Sequence, residues 1–166
     1  PLSAHSLAVA DEKALRTGLN ALCDCYGRWL DDQHKIVVES EYAAQASENL
    51  TECGNVLDRM RAAVDEICGD PRLRRAFQLS NLAMHIQHHW DAGKAKHGSL
   101  RWRPFQLGFL LLSAVSASRR DHAHRETMDL LWFPTGGGKT EAYLALIAMV
   151  AFYRRLSERV SDREGV

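Results

Sequence analysis

A hydrophobic run long enough to cross a membrane is absent from this 166-residue sequence. The longest unbroken apolar stretch, residues 142–153, has twelve residues, whereas a membrane-spanning helix needs about 20. We therefore predict that this stretch is a buried helix. The sequence also lacks a signal-peptide pattern at its start, and it begins at Pro1 rather than Met. These absences favour a cytoplasmic protein, cut out of a longer one, with no membrane partner.

Cysteine is scarce, and its spacing excludes the common metal and redox motifs. The four cysteines form no Cys-x-x-Cys pair, so neither a zinc ribbon nor a thioredoxin-like site is indicated, and we expect free thiols. Histidine is more frequent, with eight residues. His85, His88 and His89 share one helical face, but no acidic or cysteine residue at a fixed short spacing completes a metal site. We therefore predict surface or partly buried histidines.

The net charge is zero, but the two parts of the chain differ in sign. Residues 1–60 carry ten acidic and five basic side chains, and residues 61–166 carry eleven acidic and sixteen basic ones. The basic clusters of the second part are of the kind that meets a phosphate backbone, although solvated surface clusters are the more common case. They are Arg72/Arg74/Arg75, Lys94/Lys96/Arg101/Arg103 and Arg119/Arg120/Arg125.

Apolar residues at helical spacing run through the first ninety positions. Two stripes, one over residues 15–30 and one over residues 50–67, predict two long helices, which we expect to pack as an antiparallel hairpin. Asp70 and Pro71 then supply the N-cap and the first-turn proline of a third helix, which runs to about Trp90.

Residues 132–140 read Trp-Phe-Pro-Thr-Gly-Gly-Gly-Lys-Thr and predict a phosphate-binding loop of the Walker A type. The three glycines allow the backbone to turn sharply and to bring its N–H groups against phosphate oxygens. Lys139 is placed to reach the β- and γ-phosphates, and the Thr140 hydroxyl is placed to ligate Mg²⁺. The loop departs from the pattern Gly-x-x-x-x-Gly-Lys-Ser/Thr in one respect, because Phe133 stands where the first glycine would be.

The residues on either side of the loop predict a strand before it and a helix after it. Residues 128–133 read as a short buried strand and residues 140–156 as a helix, whose positive dipole end points at the bound anion. A lone strand cannot satisfy its own backbone hydrogen bonds, so we expect the other strands of its sheet in sequence outside this chain. The apolar side chains of the helix are expected to be core, namely Tyr143, Leu144, Leu146, Ile147, Val150 and Phe152.

Upstream of the loop, residues 102–106 read Trp-Arg-Pro-Phe-Gln. The Gln106 side chain offers an acceptor and donors that match the N6 and N7 edge of adenine, and an aromatic neighbour such as Phe105 is able to stack on the base. A helix start with proline at its first position explains the same residues, and we predict a strongly apolar helix over residues 104–116. The placement of Gln106 thirty-three residues before Lys139 makes the nucleotide interpretation more specific.

This combination resembles superfamily 2 helicases and translocases, in which a Gln-bearing motif precedes the phosphate-binding motif. Three segments, residues 77–84, 102–109 and 129–144, also resemble the helicase-like DrmA subunits of the DISARM bacterial anti-phage system. The resemblance implies an ATP-dependent motor that engages DNA and partner subunits of a defence complex. Together with the helical spacing of the first ninety residues, it implies a mostly α chain, in which a helical accessory region (1–99) precedes the first strand, P-loop and helix of an incomplete α/β RecA-like ATPase domain (100–166), truncated before its Walker B motif.

By the same resemblance, Gln106 selects adenine, Lys139 holds the γ-phosphate as the candidate catalytic residue, and Thr140 binds the Mg²⁺ that accompanies ATP. No Asp-Glu motif follows Thr140, so the Mg²⁺-holding Asp, the water-orienting Glu and the arginine finger have no candidates here. We therefore expect that this chain alone does not hydrolyse ATP at a useful rate. The candidate nucleotide-binding residues are Arg103, Phe105, Gln106, Pro134, Thr135, Gly136, Gly137, Gly138, Lys139, Thr140 and Glu141.

Two other functions are compatible with the sequence. One is a P-loop ATPase of another kind, AAA-type or SMC-like, whose loop carries the same residues. The other is a helical protein-interaction module with a vestigial loop. The helices before residue 70 have an acidic balance, which favours a protein contact over a DNA contact for that region.

Overall fold

The computed structural model describes residues 2–96, 98–130 and 136–157, apart from the side chain of Lys94. None of the helices in these ranges combines the length and the hydropathy needed to cross a membrane. The helices are α1 (Ala4–Val9), α2 (Glu12–Gln33), α3 (Ala43–Gly69), α4 (Pro71–His89), α5 (Ala92–Ala95), α6 (Pro104–Ser118) and α7 (Lys139–Leu156).

The predicted strand before the glycine loop is not found. Residues 128–130 form no strand, with Met128 93% exposed and Leu130 80% exposed, and residues 131–133 lie outside the described ranges. The described residues contain no sheet, only an isolated antiparallel bridge between Ser3 and Arg101. The prediction of an incomplete α/β RecA-like domain is therefore wrong for this all-helical structure. An extended segment becomes a strand only where a second one supplies backbone partners, and none does so within the described chain.

The predicted antiparallel hairpin is confirmed by the contacts between α2 and α3. Arg16, early in α2, pairs with Asp65, late in α3. Asp24, later in α2, lies 3.9 Å from Arg61, earlier in α3. The order of partners therefore reverses along the two helices, as it must for antiparallel neighbours.

A single residue, Asp70, separates α3 from α4. As predicted, its carboxylate caps α4, accepting hydrogen bonds from the backbone N–H groups of Arg72 (2.8 Å) and Leu73 (3.3 Å). Arg119, just after α6, donates to Asp70 (2.8 Å) and to Glu66 of α3 (2.6 Å). Desolvation by itself would raise the pKa of Asp70, but these hydrogen bonds outweigh it and hold the pKa below its ordinary value. The junction of three helix ends is thus tied by one carboxylate.

Helix α4 lies at the centre of the fold, in contact with α1, α3, α5 and α7. Its Phe77 is fully buried, and its Ser80 hydroxyl donates to the Ala145 carbonyl of α7 at 2.7 Å. The side-chain oxygen of its Asn81 accepts from the Trp102 indole N–H at 2.8 Å. Every buried side-chain nitrogen or oxygen in the described residues has a hydrogen-bond partner, so the core contains polar groups without leaving them unsatisfied.

Helix α7 packs against α4 and α6. The prediction that Tyr143, Leu144 and Ile147 are core is wrong, because all three are exposed. A helix that is apolar on every side gives no sequence signal for the face it buries. Small residues on the buried face let the helices approach closely, which is the arrangement found here. The buried residues of α7 are Ala142, Ala145, Met149 and Tyr153.

Helix α1 docks on α4 beside the segment that leads into α6. The Ala4 N–H donates to the Leu100 carbonyl at 2.8 Å, and the ring of His5 stacks on that of His85 with centroids 4.9 Å apart. His85 is also 4.4 Å from His89, ring centroid to ring centroid. Burial lowers the pKa of His85, and the neighbouring rings of His89, His5 and His88 lower it further.

We predict that Phe77→Ala destabilises the protein by about 3–5 kcal/mol, because it leaves a cavity at the centre of the core. Urea denaturation followed by circular dichroism measures the effect. Leu82→Ala, on the exposed side of the same helix, is the matched control and should cost less than about 1 kcal/mol. Equal losses for the two variants would contradict the central placement of α4.

We predict that acidification destabilises the fold through His85. The folded state holds the His85 proton less tightly than the unfolded chain does, so stability is full above the ordinary histidine pKa of about 6.5 and falls as the pH drops below it. His85→Gln should therefore reduce the fall in melting temperature between about pH 7.5 and pH 5.5. His124→Gln, outside this cluster, is the control. An unchanged pH dependence in His85→Gln would refute the role of this ring.

Candidate functional site

The glycine loop reaches α7 through two residues in left-handed backbone conformations. Gly136 has φ 78° and Gly138 has φ 90°, a region that residues with a Cβ rarely adopt. Gly138 is the N-cap of α7, and Lys139 and Thr140 form the first turn. The predicted residues Pro134 and Thr135 lie outside the described ranges. The described part of the loop therefore has the backbone turn that the glycines predicted.

Side chains at the start of α6 hold the glycine loop by donating hydrogen bonds to two of the loop's carbonyl groups. The Gln106 side-chain NH₂ donates to the Gly138 carbonyl at 2.7 Å, and the Arg103 guanidinium donates to the Gly137 carbonyl at 2.9 Å. The Gln106 side-chain oxygen accepts from the Arg103 backbone N–H at 2.9 Å, as the residue at that position of a capping box does. With these two carbonyl dipoles engaged by α6, the loop presents less negative potential to an incoming anion.

A cleft of about 410 Å³ opens between the loop and the segment that leads into α6. Arg101 and Arg103 bring positive charge to it, and Glu141 brings a carboxylate. Arg101 belongs to a basic cluster visible in the sequence, whereas no sequence pattern assigned His88 to this site. The lining residues are His88, Ser99, Leu100, Arg101, Arg103, Gln106, Gly136, Gly138 and Glu141.

Gln106 and Phe105, both predicted to contact adenine, face different surroundings. Gln106 is only 4% exposed, and two of its hydrogen-bonding groups already bind the backbone of Arg103 and Gly138. One N–H and one lone pair of the amide are left, which is the minimum for reading the N6 and N7 edge of a base. Phe105 instead lines a separate apolar groove of about 1160 Å³, bounded by α2, α3 and α6. The structure therefore brings Gln106, but not Phe105, to the cleft beside the glycine loop.

An ion pair that the sequence did not predict fixes the chain ahead of the loop. Arg59 of α3 donates two hydrogen bonds to the carboxylate of Asp129, at 2.7 and 2.8 Å. Only 17% and 18% of the two side chains are exposed. The partners are seventy residues apart, and no local spacing links them, so sequence patterns had no means of pairing them.

Several arginines of the predicted basic clusters serve the fold rather than an open phosphate-binding face. Arg119 binds Glu66 and Asp70, Arg74 binds Glu12 and the Cys68 carbonyl, and Arg125 donates to the last carbonyls of α6. These three arginines therefore hold parts of the fold together, whereas Arg72, Arg75 and Arg120 of the same clusters are exposed.

The four cysteines are free thiols, as predicted. Burial raises the pKa of the Cys23 and Cys68 thiols, which keeps them protonated and unreactive. The described residues contain no group of three or more His, Cys, Asp and Glu side chains suited to hold a metal ion.

Comparison with known proteins finds similarity to a bacterial DISARM protein. No protein-family model matches the chain. Over 175 aligned positions it is 33% identical to the DISARM protein DrmA of Bacillus paralicheniformis. The chain is related to DrmA. The alignment covers 93% of this chain but 15% of that relative, so this chain spans about a seventh of the length of the DrmA it matches.

We predict that Gly138→Ala destabilises the loop by about 1–3 kcal/mol, the cost of a strained backbone conformation. The new Cβ would also lie 2.6 Å from the Gln106 side-chain nitrogen. Gly54→Ala is the control, since its Cβ meets nothing within 4 Å in the middle of α3 and should stabilise by about 0.5–1 kcal/mol. Urea denaturation measures both changes. A stabilised Gly138→Ala variant would show that this loop does not adopt the left-handed turn.

Proposed function

We propose that this chain binds the phosphates of Mg²⁺-ATP at the start of α7. The observation that carries the proposal is the left-handed turn at Gly136 and Gly138, directly before Lys139 and Thr140. At such a turn, first-turn N–H groups and the positive end of the helix dipole are directed at an anion. The cleft beside it is lined by Arg101 and Arg103.

The residues present fit this ligand. Gly138 is the N-cap of α7, so no side chain caps the first turn and occupies the anion's place. A Cβ at Gly138 would lie 2.6 Å from the Gln106 side-chain nitrogen, so the contact between Gln106 and the loop requires glycine at this position. In the proposed complex, Lys139 binds the β- and γ-phosphates and Thr140 ligates Mg²⁺. Mg²⁺ would neutralise charge that develops on the phosphate oxygens.

Adenine is the base that Gln106 would select. The amide has one donor and one lone pair left after its contacts with Arg103 and Gly138. We propose that these two groups meet the base edge at the inner end of the cleft. Because Phe105 lines the other groove, stacking on the base falls to a different group.

The relationship to DrmA extends the proposal to a longer protein. That protein would be a helicase- or translocase-type motor ATPase of superfamily 2, acting on DNA in DISARM anti-phage defence with partner subunits. Its hydrolytic groups would lie outside this chain, since phosphoryl transfer requires a Mg²⁺-binding carboxylate, a water-orienting group and an arginine finger. This chain contributes the phosphate-binding part.

A second candidate function has its own observation. The tip of the α2–α3 hairpin exposes large apolar side chains, which is unusual for a surface without a partner. This favours a helical protein-interaction module, in which the glycine loop would have no enzymatic role. The exposed residues are Trp29, Ile36, Val37, Val38 and Tyr42.

We predict that Lys139→Ala lowers ATP hydrolysis by the intact protein at least about 100-fold, because a positioned charge on the γ-phosphate is lost. Phosphate release is measured with and without single- and double-stranded DNA. Lys96→Ala, which removes an exposed lysine, should leave the rate unchanged. If Lys139→Ala hydrolyses ATP as fast as the wild type, the proposal of a motor ATPase is rejected and the proposal of a helical protein-interaction module is favoured.

A further inference from the structure

The segment ahead of the glycine loop is held by charge rather than by apolar burial. Its apolar residues Met128 and Leu130 are 93% and 80% exposed. Asp129, between them, has a side chain only 18% exposed, and its carboxylate meets the Arg59 guanidinium through two hydrogen bonds of 2.7 and 2.8 Å. A bidentate arginine–carboxylate pair fixes direction as well as distance. The ion pair is therefore the contact that orients this segment.

Arg59 itself is placed by two helices. It belongs to α3, and its guanidinium also lies 3.5 Å from the Leu112 carbonyl of α6. The same helix α6 supplies Arg103 and Gln106, which bind the carbonyls of Gly137 and Gly138. Arg59 thus acts at one end of the loop and the first turn of α6 at the other.

Asp129 before the loop and Gly138 at its end are each held by a side chain of the helical region. Asp129 is seven residues before Gly136 and ten residues before Lys139. Fixing both ends of a short segment restricts the conformations available to it, which lowers the entropy that a ligand must remove on binding. Release of the Asp129 end would therefore weaken binding at the loop without removing any group that touches the ligand.

We propose that Arg59 is a positioning residue for the phosphate loop, acting through Asp129. The inference rests on the proposed nucleotide site and adds a coupling to it: helix α3, and with it the α2–α3 hairpin, is linked to nucleotide affinity. Because such coupling is reciprocal, nucleotide binding strengthens the Arg59–Asp129 pair.

The test measures affinity of the intact protein for the fluorescent nucleotide N-methylanthraniloyl-ATP with Mg²⁺. Arg59→Met and Asp129→Asn should each weaken binding by about tenfold, within the usual range of coupling between sites. The double variant should lose no more than either single variant, because the two residues act as one unit. Arg59→Lys, which keeps the charge but not the paired hydrogen bonds, should show an intermediate loss.

The matched control is Arg16→Met, which breaks the ion pair of Arg16 with Asp65 between α2 and α3. Those side chains are 36% and 73% exposed, and their pair joins two helices without holding the segment ahead of the loop. This variant should bind the nucleotide as the wild type does. If Arg59→Met binds as tightly as the wild type, or Arg16→Met loses as much affinity, the positioning role is overturned.

Two further outcomes separate the proposals. If Arg59→Met fails to fold, Arg59→Lys and Asp129→Asn decide: weaker binding at an unchanged melting temperature supports the role, and unchanged binding overturns it. If Lys139→Ala binds the nucleotide as the wild type does, the nucleotide site itself is rejected. Wild-type binding that depends on Lys139 but not on Arg59 overturns the inference alone.

Discussion

The hydrogen bonds from the first turn of α6 to the glycine loop are the interaction on which the site depends. Three successive glycines have little preference for one conformation, so the turn needs an external restraint. Gln106 and Arg103 supply it by binding the carbonyls of Gly138 and Gly137. The start of one helix therefore shapes the start of another. The buried Gln106 leaves no room for a side chain at position 138, which makes that glycine a steric requirement as well as a conformational one.

The hydrophobic core and a set of polar contacts join the helical region to the elements around the glycine loop. The hydrophobic core takes residues from α1, near the start of the chain, through to α7. Polar contacts follow the same plan: Ser80 of α4 binds α7, and Arg119 joins the end of α6 to α3 and to the cap of α4. Arg59 of α3 binds Asp129 in the segment before the loop. The glycine loop and the segments on either side of it are therefore held by residues of three helices, α3, α4 and α6.

The sequence predicted what depends on neighbouring residues, and it missed what depends on distant ones. The bounds of α4 followed from Asp70 and Pro71, because caps act within one turn. The left-handed turn followed from the glycines. The buried face of α7 was not predictable, since its sequence is apolar on all sides. The strand over residues 128–133 was predicted from an apolar pattern, but pairing partners decide whether such a segment forms a sheet.

For the candidate site, the sequence predicted individual residues but not the contacts between them. The phosphate-binding pattern and Gln106 stand in the sequence, and their mutual contact at 2.7 Å was not foreseen. The pairing of Arg59 with Asp129 spans seventy residues. Such contacts are set by the packing of α3 against α6, which no local periodicity describes.

The one-residue joint at Asp70 has a mechanical consequence. With no loop between α3 and α4, the joint has no slack, so a tilt of one helix is passed to the other. Helix α3 has 27 residues and is therefore about 40 Å long at 1.5 Å per residue. Helix α3 can act as a lever that pivots at Asp70, with its other end at the tip of the α2–α3 hairpin. A small force at that tip is converted into torque on α4, against which α7 is packed.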